Sequence, residues 1–181
     1  MVWQAKKLGD VCEISTGNSN TIDAVPNGKY VFFTRAREPK RSNKFLFDCK
    51  TIIIAGEGQS FEPRFFEGKY DLHQRAYSLR NFTSNVTIEY VFLFLTYKMK
   101  HFENVAVGAT AKSLRLRHFT ELDIPVPPLK EQHFIIRKFD AFSNQTKKLE
   151  SIYEKKLADL EELKKSILQK AFNGKLTEVS A

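Results

Sequence analysis

The sequence predicts an α+β fold, in which a globular, mainly β part is followed by a long C-terminal α-helix that forms a coiled coil. Residues 1–128 contain twelve of the sixteen Phe residues and the single Trp, in short apolar runs separated by turn-forming residues. After Pro127 and Pro128 there is no further proline, and no glycine occurs before Gly174. We therefore expect two domains, residues 1–128 and 129–181.

Short runs of β-branched and aromatic residues are the strand candidates of the globular part. The stronger runs are Tyr30–Thr34 and Thr51–Ala55, and the weaker runs are Phe45–Phe47 and Arg75–Leu79. Turns are expected where glycine occurs with Asn, Pro or Glu, at residues 17–20, 26–28 and 56–58. These elements predict a sheet of short strands.

One helix is predicted within the globular part. Thr87 is suited to cap its N-terminus, Glu89 lies in its first turn, and Lys98 and Lys100 mark its end. Its most apolar stretch, residues 90–95, is far shorter than the roughly 20 residues that span a bilayer. We expect a mostly buried helix and no membrane partner.

The C-terminal segment has apolar residues at helical spacing from Ile135 to Ala171. A continuous helix over 130–172 is about 65 Å long, which is longer than a globule of this size can cover. The alternative is a helix that breaks near Ser143-Asn144 and folds back on its own domain. The favoured interpretation is a helix that pairs with a helix from another chain. The apolar seam of that pairing consists of Phe142, Leu149, Tyr153, Leu157, Leu160, Leu163 and Ile167.

Composition narrows the classes of function. The net charge is +8, with +5 in residues 1–128 and +3 in the remainder, which makes a polyanion a plausible partner. The only cysteines are Cys12 and Cys49, and the first residues lack the apolar run of a signal peptide. We expect a protein of the reducing cytoplasm.

The motifs of several catalytic and cofactor sites are absent from the sequence. There is no G-x-G-x-x-G and no P-loop, and residues 124–129 lack the Asn or Asp and the aromatic residue that flank Pro-Pro in DNA amino-methyltransferases. The four histidines are scattered, without metal-ligand spacing. We therefore predict a binding module with no catalytic residues, no metal and no cofactor of its own.

Two alternatives remain open at this point. A metal-dependent nuclease would need two carboxylates and a lysine at one site, and Asp48 with Glu67 and Lys69 can be fitted to that pattern. Such a spacing often arises by chance in a chain with 21 acidic residues. A non-catalytic interaction scaffold would carry its basic charge without using it.

Clustered basic residues favour double-stranded DNA as the partner. Residues 35–44 hold five basic residues and one acid in an expected loop: Arg35, Arg37, Lys40, Arg41 and Lys44. A second cluster consists of Lys112, Arg115 and Arg117. Its period of two puts Leu114 and Leu116 on one face and Ser113, Arg115 and Arg117 on the other, as in a strand with a basic outer face. In a third region, basic residues alternate with aromatic ones: Arg64, Lys69 and Arg75.

Three segments in this order resemble the specificity (S) subunits of type I restriction–modification systems. They are Lys7-Leu-Gly-Asp-Val11 with Gly17, the junction Ile124-Pro-Val-Pro-Pro-Leu-Lys-Glu-Gln132, and the close Ala171-Phe-Asn-Gly-Lys-Leu176. The resemblance covers nearly the whole chain and matches one half-unit, with one target-recognition domain and one conserved spacer helix.

This resemblance implies a non-catalytic subunit that recognises half of a bipartite DNA site through the major groove. It also implies partners: methylation (M) subunits that hold S-adenosylmethionine and methylate adenine, with or without restriction (R) subunits that use ATP and Mg²⁺. The usual subunit carries two recognition domains and two spacer helices, whereas this chain has one of each. We therefore expect a homodimer, paired through the helix, that recognises a palindromic bipartite site.

Overall fold

The computed structural model describes residues 3–58, 60–108 and 111–174. They form two compact units, Met1–Ile136 and Arg137–Ala181. The predicted α+β class is confirmed: strands dominate the first unit, and a long helix begins near its end.

Ten strands are present in the described residues. In chain order they are β1 Gln4–Lys7, β2 Glu13–Thr16, β3 Tyr30–Phe33, β4 Lys40–Ser42, β5 Phe47–Ala55, β6 Glu57–Gly58, β7 Arg64–Leu72, β8 Ala76–Arg80, β9 Lys112–Ser113 and β10 Asp123–Val126. Five α-helices accompany them: α1 Leu8–Val11, α2 Ile88–Tyr97, α3 Met99–Val105, α4 Leu116–Thr120 and α5 Leu129–Phe172, with a 3-10 turn at Thr21–Asp23.

Six strands form the main sheet, in the order β2-β8-β5-β7-β3-β4. Neighbours are antiparallel except β3 and β7, which run parallel. Two small antiparallel pairs, β1 with β10 and β6 with β9, complete the first unit.

The central strand β5 is buried on both faces, as its three consecutive isoleucines require. Ile52 and Ile54 belong to the main core, together with Leu95 and Phe119 from the helices. Ile53 lies on the other face, in a smaller cluster of apolar residues. Burial of a side chain of this size stabilises a fold by about 1.5–3 kcal/mol.

Three of the four expected strands are confirmed. Tyr30–Thr34 corresponds to β3, Thr51–Ala55 lies in β5, and Arg75–Leu79 corresponds to β8. Of Phe45–Phe47 only Phe47 lies in a strand. Residues 56–58 are not only a turn, because Glu57 and Gly58 pair with Ser113 and Lys112 as β6.

The helix after Thr87 begins as predicted, since the Tyr90 backbone N–H donates to the Thr87 hydroxyl at 3.3 Å. The expectation of one helix as far as Lys100 is wrong. Helix α2 ends at Tyr97, and Lys98 separates it from α3.

Helix α5 starts at Leu129, directly after the two prolines. Its Gln132 is fully buried, and the amide donates to the carbonyls of Asn85 and Pro127, each at 2.8 Å. The Gln132 side-chain oxygen accepts from the Thr87 backbone N–H at 2.9 Å. The first turns of α5, through Ile136, therefore belong to the globular unit, beyond the expected limit at residue 128.

From residue 137 to Phe172 the second unit is one continuous helix. It has no break at Ser143-Asn144, so the alternative that required one is wrong. All seven seam residues are exposed, from 45% for Ile167 to 65% for Leu157. Among the described helices, none is long and apolar enough to cross a membrane.

Candidate nucleic-acid interface

A buried carboxylate joins two of the predicted DNA-binding arginines. Glu57 on β6 is only 8% exposed, and it accepts from Arg35 Nη1 at 2.9 Å and from Arg75 Nη1 at 2.7 Å. The hydrogen bonds from Arg75 and Arg35 lower the pKa of Glu57 below its usual value. Both arginine side chains remain 57% exposed. The pair is therefore anchored on Glu57 and still presents N–H donors to solvent.

The backbone around Glu57 explains how this residue reaches both arginines. The Gly56 N–H donates to the Arg75 carbonyl at 2.8 Å, and a Cβ at position 56 would lie 2.8 Å from that same oxygen. Glycine is therefore required where the chain passes from β5 into β6. Pairing of Glu57 with Ser113 brings the strand that contains Lys112 to the same place.

Arg64 shapes the neighbouring loop. Its guanidinium donates to the carbonyls of Arg37 at 2.8 Å and Ala36 at 3.2 Å, and it lies 5.3 Å from the centre of the Phe33 ring. Burial lowers the pKa of Arg64, yet its guanidinium remains positively charged, because arginine is not deprotonated in proteins. Because its donors are used by the protein, Arg64 supports the loop that presents Arg35 and Arg37.

Arg35, Arg37 and Arg64 line one cleft of about 320 Å³, which we call the arginine cleft. Its lining consists of Arg35, Ala36, Arg37, Ala55, Gly58, Ser60, Glu62 and Arg64. Two basic regions that are far apart in the sequence thus meet at one surface.

The remainder of the first basic cluster lies elsewhere on the unit. The expected single loop over residues 35–44 is wrong, because Lys40–Ser42 forms β4 on the sheet edge beside β3. Arg41 has a structural role, because its guanidinium donates to the carbonyls of Gly28 at 2.9 Å and Lys29 at 3.1 Å. Lys44 lies 3.7 Å from the Asp23 carboxylate.

Lys69 lies on the exposed face of β7, with its ammonium 3.9 Å from Asp48 and 4.8 Å from the Phe45 ring centre. Glu67 is paired with Lys50 at 3.5 Å. The three residues of the nuclease hypothesis therefore lie on neighbouring strands, where each carboxylate is held by a lysine. In the described part of the chain, no group of three His, Cys, Asp or Glu residues has the arrangement of a metal site.

The predicted strand over residues 113–117 is wrong. Strand β9 ends at Ser113, and the Arg115 N–H donates to His118 Nδ1 at 3.2 Å as α4 begins. Leu114 is buried whereas Leu116 is 45% exposed, so the two leucines do not share a face. The two-residue alternation is too short to distinguish a strand from a turn that leads into a helix.

The basic residues of this segment consequently separate. Lys112 donates to the Glu103 carbonyl at 2.8 Å, near β6. Arg117 lines a different cleft of about 510 Å³, with Lys98, His101 and His118 among its other residues. Arg117 is thus placed away from the arginine cleft.

Two residues of the site carry no signal in the sequence. Glu57 stands between two glycines, and its partners are 22 and 18 positions away. His73 is buried, and its Nδ1 accepts the Arg75 backbone N–H at 3.0 Å. Burial and the charges of Arg35 and Arg75 lower the pKa of His73. Only the folded sheet brings these groups together.

Comparison with known families gives a match over most of the chain. Residues 2–162 match the family model described as the type I restriction modification DNA specificity domain. The EcoDI specificity subunit of Escherichia coli is 27% identical over 176 residues, which are 97% of this chain and 39% of that protein. The putative type I specificity subunit S.MgeORF438P of Mycoplasma genitalium is 24% identical over 163 residues, covering 87% of this chain and 43% of that protein.

Solved structures show the same fold. The S subunit of a type I restriction–modification system from M. genitalium superposes with a TM-score of 0.66 at 22% identity, over 97% of this chain and 46% of that one. A chain from a structural study of type I R-M system assembly gives a TM-score of 0.79 at 20% identity, over 96% and 46%. This chain thus spans less than half the length of these relatives.

Proposed function

Because this chain belongs to the type I restriction–modification DNA specificity domain family, we propose that it recognises one half of a bipartite duplex DNA site for such a system. The observation that carries the proposal is the pair Arg35 and Arg75, which converge on the buried Glu57. Arg35 also lines the arginine cleft. A cationic surface with fixed donors suits duplex DNA, which offers phosphates along its backbone and acceptors on its base edges.

The proposal gives the basic residues different contributions. Among the described residues, no hydrogen bond or ion pair engages the side chain of Arg37 or Lys40. Free cations of this kind release counterions when they contact phosphates, and this release dominates nonspecific affinity. Arg64 and Arg41 hold backbone carbonyls and act through the loops they shape.

Catalysis is assigned to partners in this proposal. Methylation subunits that hold S-adenosylmethionine, and restriction subunits that use ATP and Mg²⁺ where they are present, would act at the site that this chain selects. The chain itself would contribute no catalytic residue and would work in the cytoplasm with these partners.

The exposed seam of α5 supports a second part of the proposal. Seven large apolar side chains along one stripe are the pattern of a helix that pairs with another helix. We propose that the second helix belongs to a second copy of this chain, so that a two-fold dimer would recognise a palindromic bipartite site.

Filter binding to a random-sequence duplex across a salt series tests the DNA partner. The logarithm of the binding constant should fall linearly with the logarithm of the salt concentration. Arg37→Ala and Lys40→Ala should each reduce the magnitude of that slope by about 0.9, since each variant loses one phosphate contact. Lys165→Ala, an exposed change on α5, is the matched control.

Two outcomes would contradict the proposal. A wild-type chain that does not bind duplex at low salt would favour the interaction scaffold instead. Cleavage of plasmid by the chain alone with Mg²⁺ would favour a nuclease. Co-purification of an adenine methyltransferase from the source cells would support the partner assignment.

A further inference from the structure

The two arginines at Glu57 are built differently from the other cations of the surface. Each gives Nη1 to one oxygen of the carboxylate, at 2.9 Å for Arg35 and 2.7 Å for Arg75. A guanidinium has five N–H donors in a rigid plane, so most donors of each arginine remain for a ligand. Both side chains are more than half exposed.

The backbones beneath these side chains are also fixed. The Arg75 N–H donates to His73 Nδ1 at 3.0 Å, and the Arg75 carbonyl accepts from Gly56 at 2.8 Å. Beside Arg35, the Ala36 N–H donates to the Thr34 hydroxyl at 3.1 Å, and Arg64 holds the next carbonyls. The backbones are therefore ordered before binding, and the bond to Glu57 already restricts each arginine side chain in part.

This arrangement is poorly suited to binding phosphate. The carboxylate offsets one of the two positive charges and would repel a phosphate that approached both arginines. Phosphate contacts also tolerate a mobile cation, as Lys and free Arg side chains show throughout protein–DNA interfaces. A fixed guanidinium plane is instead what a bidentate contact with the O6 and N7 acceptors of guanine requires.

We propose that Arg35 and Arg75 recognise guanine bases in the major groove, and that Glu57 is the positioning residue that sets both guanidinium planes. This proposal rests on the proposed function and adds a chemical identity to its specificity. Arg37, in the same cleft, and Lys40 contact phosphates. One pair of basic residues thus selects sequence while the other pair supplies affinity.

In vitro selection from a library of randomised duplexes tests this division with the full chain. Wild type should enrich a motif that contains guanine at positions served by Arg35 and Arg75. Arg35→Lys and Arg75→Lys keep the charge and Glu57 but lose the planar fork. Each should lower the preference for guanine at one position by about tenfold, within the range of a lost bidentate contact, while the salt slope is unchanged.

Glu57→Gln should weaken the guanine preference at both positions together, because one residue orients both arginines. Glu62→Gln is the matched control, since this exposed carboxylate lines the arginine cleft, as Arg35 does, and its loss changes the charge equally. Arg37→Lys should leave the selected motif unchanged. A thermal melt checks that Glu57→Gln is folded, and if it is not, the two lysine variants decide.

Different failures have different meanings. A wild-type motif that the lysine variants reproduce at full guanine preference would overturn this proposal and leave the proposed function intact. A motif without guanine would do the same. Selection that enriches no sequence at all would overturn the proposed function, and this proposal with it.

Discussion

The two units of the chain place their apolar side chains in opposite ways. In the globular unit, Ile52, Ile53 and Ile54 are fully buried on the two faces of one strand. In the helical unit, Leu157 and Leu160 are 65% and 61% exposed. The globular unit thus contains a core of its own, whereas the helical unit presents an apolar stripe that only a further surface can bury. Apolar side chains thus stabilise the fold of the globular unit, whereas those on α5 are available to a partner surface.

The largest expected effect is on the seam. Changing both Leu160 and Leu163 to Lys would remove four apolar side chains from the proposed interface between two copies of the chain. At about 1.5 kcal/mol or more for each leucine, the dimer should weaken by roughly 6 kcal/mol, or about ten-thousandfold in Kd. Light scattering across a concentration series should therefore show a dimer for wild type and a monomer for the variant.

The control for that experiment adds the same charge to another face of α5. Ser151 and Ala158 are exposed and lie on the side of the helix opposite Leu160. The double variant Ser151→Lys with Ala158→Lys should therefore leave the dimer intact. A dimer that persists in the Leu160 and Leu163 variant, or a monomeric wild type at micromolar concentration, would contradict self-pairing through the seam.

A smaller effect is expected where α5 begins. Replacing Gln132 by Ala leaves the Thr87 N–H and the Asn85 and Pro127 carbonyls without this partner. The free energy of unfolding should fall by about 2 kcal/mol, as measured by chemical denaturation. Gln145→Ala, at an exposed position of the same helix, should change it by less than about 0.5 kcal/mol. Equal values for the two variants would show that burial of Gln132 contributes nothing.

The smallest effect is a pH dependence in the stability of the globular unit. Burial, with the charges of Arg35 and Arg75, lowers the pKa of His73, so the unfolded chain binds its proton more readily than the folded protein. The contribution of His73 to the free energy of unfolding is therefore fully present above the ordinary histidine pKa of 6.5. It is lost as the pH falls through 6.5 toward the lower pKa that His73 has in the folded protein. Denaturation at pH 7.5, 6.5 and 5.5 should show this decline.

His73→Gln should reduce the decline between pH 7.5 and pH 5.5, because one of the two histidines with a lowered pKa is gone, while His118 still contributes. His133→Gln, at an exposed position of α5, is the matched control. An unchanged pH profile for His73→Gln would assign the decline to other groups.

The helical unit was the more predictable of the two, for a physical reason. Its signal repeats every few residues over forty positions, so the period of the apolar stripe, the prolines before it and Gly174 after it all agree. The strong strands β3 and β5 were also recognisable, because β-branched and aromatic runs are local features.

The candidate site was predicted only in part. The sequence indicated which cations are clustered, but it did not indicate that Arg41 and Arg64 are used to hold backbone carbonyls. Those hydrogen bonds join positions 13 and 27 residues apart, and Glu57 reaches its arginines over similar separations. No local pattern encodes such pairs, because they depend on the order of strands in the sheet.

The spacing of the apolar stripe on α5 determines which partner helices can pack along it. From Leu149 to Ala171 it advances 22 residues in six turns, close to 3.67 residues per turn. At 3.5 residues per turn the same 22 residues make about 6.3 turns, so an ordinary left-handed heptad coiled coil would be out of phase with this stripe by roughly 100° along this length. A second copy of this helix has the same spacing, so it fits the stripe better than a helix with a strict heptad does, whatever the charges on either.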